Sequence, residues 1–109
     1  MHAEPLAFFH FRVRLYHRGK FFRAYLLSIN EREAHFALDS KEYLQIDPGR
    51  SLRGSVDSRY GTEMDFKAEI LKKEGMEIKG QYFYTVFVQF ETPIILSDLL
   101  LATTLSIYG

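Results

Sequence analysis

The sequence predicts a mainly β domain: a six-stranded antiparallel barrel followed by a C-terminal α-helix. Three observations predict it. Apolar and polar residues alternate with period two through most of the chain, the mark of half-buried strands. The alternating runs are separated by short turn-forming clusters, "HRGK", "DPGR" and "SRYGT". After Pro93 the alternation gives way to "SDLLLATTLSIYG", an aliphatic run of helical character. Six short strands joined by short links fit a barrel or a sandwich, with the helix across an open mouth or along an edge.

The elements follow in order. In "FFHFRVRLYH", residues 8–17, Phe9, Phe11, Val13 and Leu15 share one face while His10, Arg12, Arg14 and Tyr16 share the other, a half-buried strand with a basic outer face. A Gly-containing hairpin turn leads into "FFRAYLLSI", whose adjacent Phe21 and Phe22 must point to opposite faces. "AHFALD" is the third strand, with Ala34, Phe36 and Leu38 inward. Asp47-Pro48-Gly49 is a strong turn signal before "SLRGSVD", the fourth strand, in which Leu52 and Val56 lie two pleats apart. "MDFKAEILKK" is the fifth, alternating Met64, Phe66, Ala68 and Ile70 against Asp65, Lys67 and Glu69. "EGMEIKGQ", residues 74–81, reads as a loop. "YFYTVFVQF" is the sixth, with Tyr82, Tyr84, Val86, Val88 and Phe90 opposite Phe83, Thr85, Phe87 and Gln89. The strands thus occupy about 8–91. A helix at about 96–107 would start on Ser97 as N-cap, carry Asp98 in its first turn where the dipole favours an anion, and end on Gly109.

Composition narrows the function. At 109 residues the chain suits one domain, 1–109, and its 47% hydrophobic and 26% charged residues suit a globule rather than a disordered chain. Fourteen basic residues balance fourteen acidic ones, and zero net charge argues against a general nucleic-acid binder. Residues 1–24 nonetheless hold five cations, Arg12, Arg14, Arg18, Lys20 and Arg23, against Glu4. There is no cysteine, which excludes disulfides, thiolate catalysis and thiolate metal sites and fits a reducing compartment. No signal-peptide pattern and no apolar run of membrane-spanning length are present, so a cytoplasmic location is expected.

Catalytic chemistry has little to stand on. The four histidines, at 2, 10, 17 and 35, form no helical ligand pair, and no metal site is expected. No nucleophile elbow and no Gly-rich phosphate loop occur. Carboxylate pairs such as Glu31 with Glu33, or Glu63 with Asp65, are what a solvated strand face carries by default. No catalytic residue is assigned and no enzymatic role is expected.

The order of elements, with "LQIDPGRSLRGSV", "FKAEILKK" and "YTVFVQFE", resembles the PilZ domain, a bacterial module whose usual ligand is cyclic di-GMP. The resemblance covers about Phe8 to Leu105. It implies a ligand site built from two arginines four residues apart, ahead of the first barrel strand, and from (Asp/Asn)-x-Ser-x-x-Gly at the turn between strands two and three. Aligned on its apolar flanks, "SINERE" occupies that turn. Ser28 stands where Asp or Asn is expected, Asn30 where Ser is, and Glu33 where Gly is. Arg14 and Arg18 have the arginine spacing but fall about one strand late, with Arg12 beside them. Glu33 adds bulk and negative charge where a dianionic ligand would lie. Losing two charge-assisted bonds at roughly 1.5–3 kcal/mol each would weaken binding by about 10²- to 10⁴-fold.

A PilZ-like domain without its ligand motif resembles family members that act through protein partners in type IV pilus assembly, motility and second-messenger signalling. The helix supports such a role. Leu99, Leu100, Leu101, Leu105, Ile107 and Tyr108 cannot all face one barrel, which implies a second surface on a partner or on another copy of the chain. The leading expectation is a non-enzymatic adaptor or regulatory domain with weak or lost cyclic di-GMP binding and a partner surface on Leu99, Leu100, Leu101, Leu105 and Tyr108. The alternative is a cyclic di-GMP receptor using Arg12, Arg14, Arg18 and the Ser28, Asn30 and Glu33 turn. A third reading, disfavoured by zero net charge, is a small barrel that binds single-stranded nucleic acid through its basic, aromatic first hairpin.

Overall fold

A computed structural model describes residues 8–38 and 45–108, the side chains of 106–108 excepted. Six strands form one antiparallel sheet: β1 (Arg12–His17), β2 (Lys20–Ile29), β3 (Glu33–Leu38), β4 (Ser51–Ser58), β5 (Gly61–Ile78) and β6 (Gln81–Phe90). Each pairs with two neighbours in the cyclic order β1-β2-β3-β6-β5-β4, so the sheet closes on itself as a barrel. Closure satisfies the backbone groups that an open sheet leaves at its edges. The helix α1 (Asp98–Tyr108) follows.

The period-two pattern does what it implies. Val13, Leu15, Phe22, Ala24, Leu26, Ala34, Phe36, Leu38, Leu52, Val56, Phe66, Ala68, Ile70, Val86, Val88 and Phe90 form one buried interior. Gly54 faces inward between Leu52 and Val56 because no side chain fits there. A Cβ would lie 2.4 Å from the Phe66 ring and 2.9 Å from the Arg14 carbonyl oxygen. The absent side chain is the space that Phe66 fills.

Three register shifts leave Leu27, Glu63 and Leu71 without a cross-strand partner. Such bulges bend and twist a strand, which a small closed sheet needs. The one at Leu71 also explains a difference from the sequence reading. Residues 74–81 are not a loop: β5 runs on to Ile78, the chain turns at Lys79 and Gly80, and Ile78 pairs with Gln81. The bulge inverts the inward–outward phase, so "KKEGMEI" no longer continues the alternation that precedes it. Lys79 and Gly80 both have positive φ, 47° and 79°, the geometry of a two-residue hairpin turn that follows the sheet's twist. Arg18 and Gly19, at 54° and 78°, make the same turn between β1 and β2.

The first strand is also shorter than its alternation suggests. Phe8–Phe11 is a turn, in which the Phe11 N–H donates to the Phe8 carbonyl at 2.8 Å. Phe8 and Phe11 both enter the core, whereas Phe9 lies outside against Tyr25 and Phe83, with ring centroids 5.9 and 5.5 Å away. The Asp47-Pro48-Gly49 turn is as expected, with Gly49 at φ 84° and the Arg50 N–H donating to the Asp47 carbonyl at 3.2 Å. Part of the segment before it, and the expected helix stop at Gly109, lie outside the described residues.

The helix begins as its cap residue dictates. Ser97 Oγ accepts the Leu100 N–H at 3.3 Å, and Asp98 occupies the first turn. Before it, the Ile94 N–H donates to the Glu31 carbonyl and the Phe90 N–H to the Arg32 carbonyl. These bonds tie the chain to the β2–β3 turn and lead α1 across that end of the barrel. Leu100 is fully buried in the core cluster, and Leu96 and Leu99 pack against it. No helix among the described residues is long and apolar enough to cross a membrane.

Candidate functional site

The β2–β3 turn holds its shape without glycine. Asn30 Oδ1 accepts the N–H groups of Arg32 at 2.8 Å and Glu33 at 2.9 Å, while the Asn30 N–H donates to the Glu33 carbonyl at 2.9 Å. This Asx turn replaces the backbone freedom a glycine would supply. The Asn30 side-chain oxygen is therefore engaged within the turn, and the exposed Glu33 carboxylate stands beside it.

Behind the turn lies a small cavity of about 170 Å³, lined by Ser28, Asn30, Glu33, His35, Phe87 and Thr104 of α1. His35 stacks on Phe87, with centroids 3.6 Å apart and planes 11° from parallel. Its Nε2 is buried without a hydrogen-bond partner among the described residues. Burial, and secondarily the positive charge of Lys72, push its pKa down to about 4, so the ring is neutral at physiological pH. Lys72 Nζ lies 4.7 Å from the centroid of the same Phe87 ring. The cavity is lined by two hydroxyls, the Asn30 amide, the Glu33 carboxylate and a neutral imidazole. Its volume is well below the roughly 300–1,000 Å³ of pockets that enclose drug-sized ligands.

The arginines are elsewhere. Arg14 projects from the outer face of β1 and grips Asp57 with two bonds, Nε to Oδ2 at 2.7 Å and Nη2 to Oδ1 at 3.1 Å. The bond to Asp57 raises its pKa further. Arg18 sits in the β1–β2 turn, where Nη1 donates to Asp47 Oδ2 at 2.6 Å and so holds the Asp47 carboxyl below its ordinary pKa. Buried His17 fastens the same end of the barrel: Nδ1–H donates to the Ser51 carbonyl at 3.0 Å, leaving Nε2 to accept the Asp47 N–H at 3.4 Å. Arg12 is exposed next to Tyr25.

The structure does not bring these residues together. Arg18 adjoins the start of β2 and Ser28 lies near its end. Lys20 to Ser28, at about 3.3 Å per residue, is about 26 Å of strand. A single pocket combining Arg18 with the Ser28–Glu33 turn, the alternative expected from the sequence, is not formed. The expected partner surface on the helix is also revised. Leu100 is inside the barrel mouth and Leu99 is half-buried against the core. Leu101 and Leu105, one turn apart, are 44% and 61% exposed and make up the outward stripe. The Tyr108 side chain lies outside the described residues.

Sequence reasoning missed His35 and Phe87 as site residues. Both occupy outward positions of strands and carry no spacing signal. Their stacking depends on the β3–β6 pairing, Glu33 with Gln89 through Leu38 with Tyr84, which joins segments far apart in the chain.

The fold and its ends define a class: a small closed antiparallel β domain with one mouth covered by its C-terminal helix. Comparison with protein-family models, curated proteins and solved structures finds no match to this chain.

Proposed function

We propose that this chain is a non-enzymatic, PilZ-like regulatory or adaptor domain of bacterial cyclic di-GMP signalling or of type IV pilus and motility pathways. It works in the cytoplasm through a protein partner, or a second copy of itself, meeting the outward side of α1. Its own cyclic di-GMP binding is weak or lost.

The observation that carries this reading is the state of the β2–β3 turn. Asn30 is engaged by the turn's own N–H groups, Glu33 presents a carboxylate, and the cavity behind them measures about 170 Å³. A cyclic dinucleotide needs bidentate cations for its phosphates. Arg14 and Arg18 already serve Asp57 and Asp47. The exposed Leu101 and Leu105 supply the apolar stripe an adaptor would use.

Isothermal titration with cyclic di-GMP tests the reading. No heat is expected in the micromolar range. Micromolar binding that disappears in Arg14→Ala would establish the receptor reading instead.

A further inference from the structure

The zero net charge conceals an uneven distribution that the sheet register creates. Outward residues of β2, β1, β4 and β5 line up in rows across the barrel. One row is Tyr25, Arg12 and Asp57; the next is Arg23, Arg14, Ser55 and Asp65; the third is Phe21, Tyr16, Arg53 and Lys67. Neighbouring strands are about 4.8 Å apart and successive outward residues about 7 Å, so five cations share one patch.

Of the carboxylates that border these rows, Asp57 and Asp65 are already engaged, while Glu91 lines the adjoining cavity beside Lys67. Asp57 is gripped by Arg14, and Asp65 accepts the Ser55 hydroxyl. Arg12, Arg23, Arg53 and Lys67 are exposed and form no ion pair among the described residues. In the third row, next to the β1–β2 turn, the rings of Tyr16 and Phe21 stand 5.3 Å apart, 45% and 44% exposed. Beside them opens a cavity of about 540 Å³ whose walls include Tyr16, Arg53, Ser55, Asp65 and Lys67. A single exposed aromatic needs no explanation. Two in contact, framed by four cations that pair with no described carboxylate and bordering a cavity, match a polymer that carries both flat rings and regularly spaced negative charge.

We propose that this face binds single-stranded nucleic acid, with bases stacking on Tyr16 and Phe21 and phosphates meeting Arg12, Arg23, Arg53 and Lys67. Base–aromatic stacking together with backbone neutralisation is how small β domains hold single strands. A duplex hides its ring faces and would leave the aromatic pair idle. The face lies on the barrel wall and its cavity extends to Ile94 in the link between β6 and α1, but it uses neither Asn30 nor the outward leucines of α1, so it stands or falls separately from the adaptor reading.

Fluorescence anisotropy with a labelled oligothymidine tests it on the full chain. Binding is expected at about 50 mM salt, with log K falling against log salt at a slope near −3, about −0.7 for each of four phosphate contacts. The double variant Arg23→Gln, Arg53→Gln should make that slope shallower by about 1.4. The double variant Tyr16→Thr, Phe21→Thr should weaken binding about 30-fold or more and leave the slope unchanged. Thr keeps strand propensity at these exposed positions, and thermal melting checks each fold. If the aromatic variant does not fold, competition decides. Inorganic polyphosphate or phosphatidylserine vesicles that displace the oligonucleotide at equal charge concentration would overturn the proposal, as would absence of binding or full affinity without the two rings. Preference for the oligonucleotide over both competitors upholds it.

Discussion

His35 shows how much a single side chain can depend on neighbours that its local sequence does not reveal. It takes an outward position on a strand, where a solvated imidazole would be ordinary. Phe87 covers its flat face, Lys72 lies over the far side of that ring, and Nε2 is left unpaired. Glu33 is the acidic group lining the same cavity. Because the folded-state pKa, about 4, lies below the ordinary 6.5, the unfolded chain binds more protons than the folded one between these values. Stability is therefore full above pH 6.5 and declines as pH falls toward 4, by up to about 3 kcal/mol. Chemical denaturation at pH 7 and pH 4.5 should show this loss. A His35→Phe variant, which keeps the stack and cannot protonate, should show a smaller one. Equal losses in the two proteins would assign the acid sensitivity to other groups.

Among the elements, the β2–β3 turn and the helix behave differently from their sequence expectations, for opposite reasons. The sequence aligns the turn with a glycine motif that serves a ligand. In the fold Asn30 closes it by accepting two N–H groups, and two carbonyls of the same turn, those of Glu31 and Arg32, hold the chain leaving β6. Replacing Asn30 by Ala should cost about 1 kcal/mol, in the range of an N-cap loss, as measured by urea denaturation. Asn30→Gly, which restores backbone freedom but not the acceptor, should cost less. On α1, the aliphatic residues divide by face. Leu100→Ala empties a buried position at the barrel mouth and should cost about 2–5 kcal/mol. Leu101→Ser and Leu105→Ser, on the outward stripe, should each change stability by no more than about 0.5 kcal/mol. A large loss from either outward substitution would mean that the helix packs on the barrel through a different face.

At the scale of the whole molecule, closure governs where every candidate site can be. Each strand has two partners, so β2 carries the β1–β2 turn with Arg18 at one end and the β2–β3 turn at the other. The four arginine and asparagine positions that share a region of sequence are thereby dispersed. Closure also joins β1 to β4 and β3 to β6. The first of these pairings adds Arg53 to the Arg14 and Tyr16 face, and the second sets Phe87 on His35. The bulges at Leu27, Glu63 and Leu71 are where the sheet's regular register yields to that curvature.

Alternation and turn chemistry, both local, by themselves determined the number of strands, the inward set on β3, β4 and β5, the Asp47-Pro48-Gly49 turn and the Ser97 cap. They could not determine the extent of the β5–β6 hairpin, because a bulge at Leu71 inverts the phase on which alternation is read. Nor could they tell which helical leucines point outward, since that depends on how α1 lies over the mouth. Only the tertiary structure decided that Asn30 serves its own turn, that Arg18 and Ser28 stand at opposite ends, and that cations from three separate stretches of chain meet around Tyr16 and Phe21. Each of these follows from pairings between distant segments, which no window of local sequence contains.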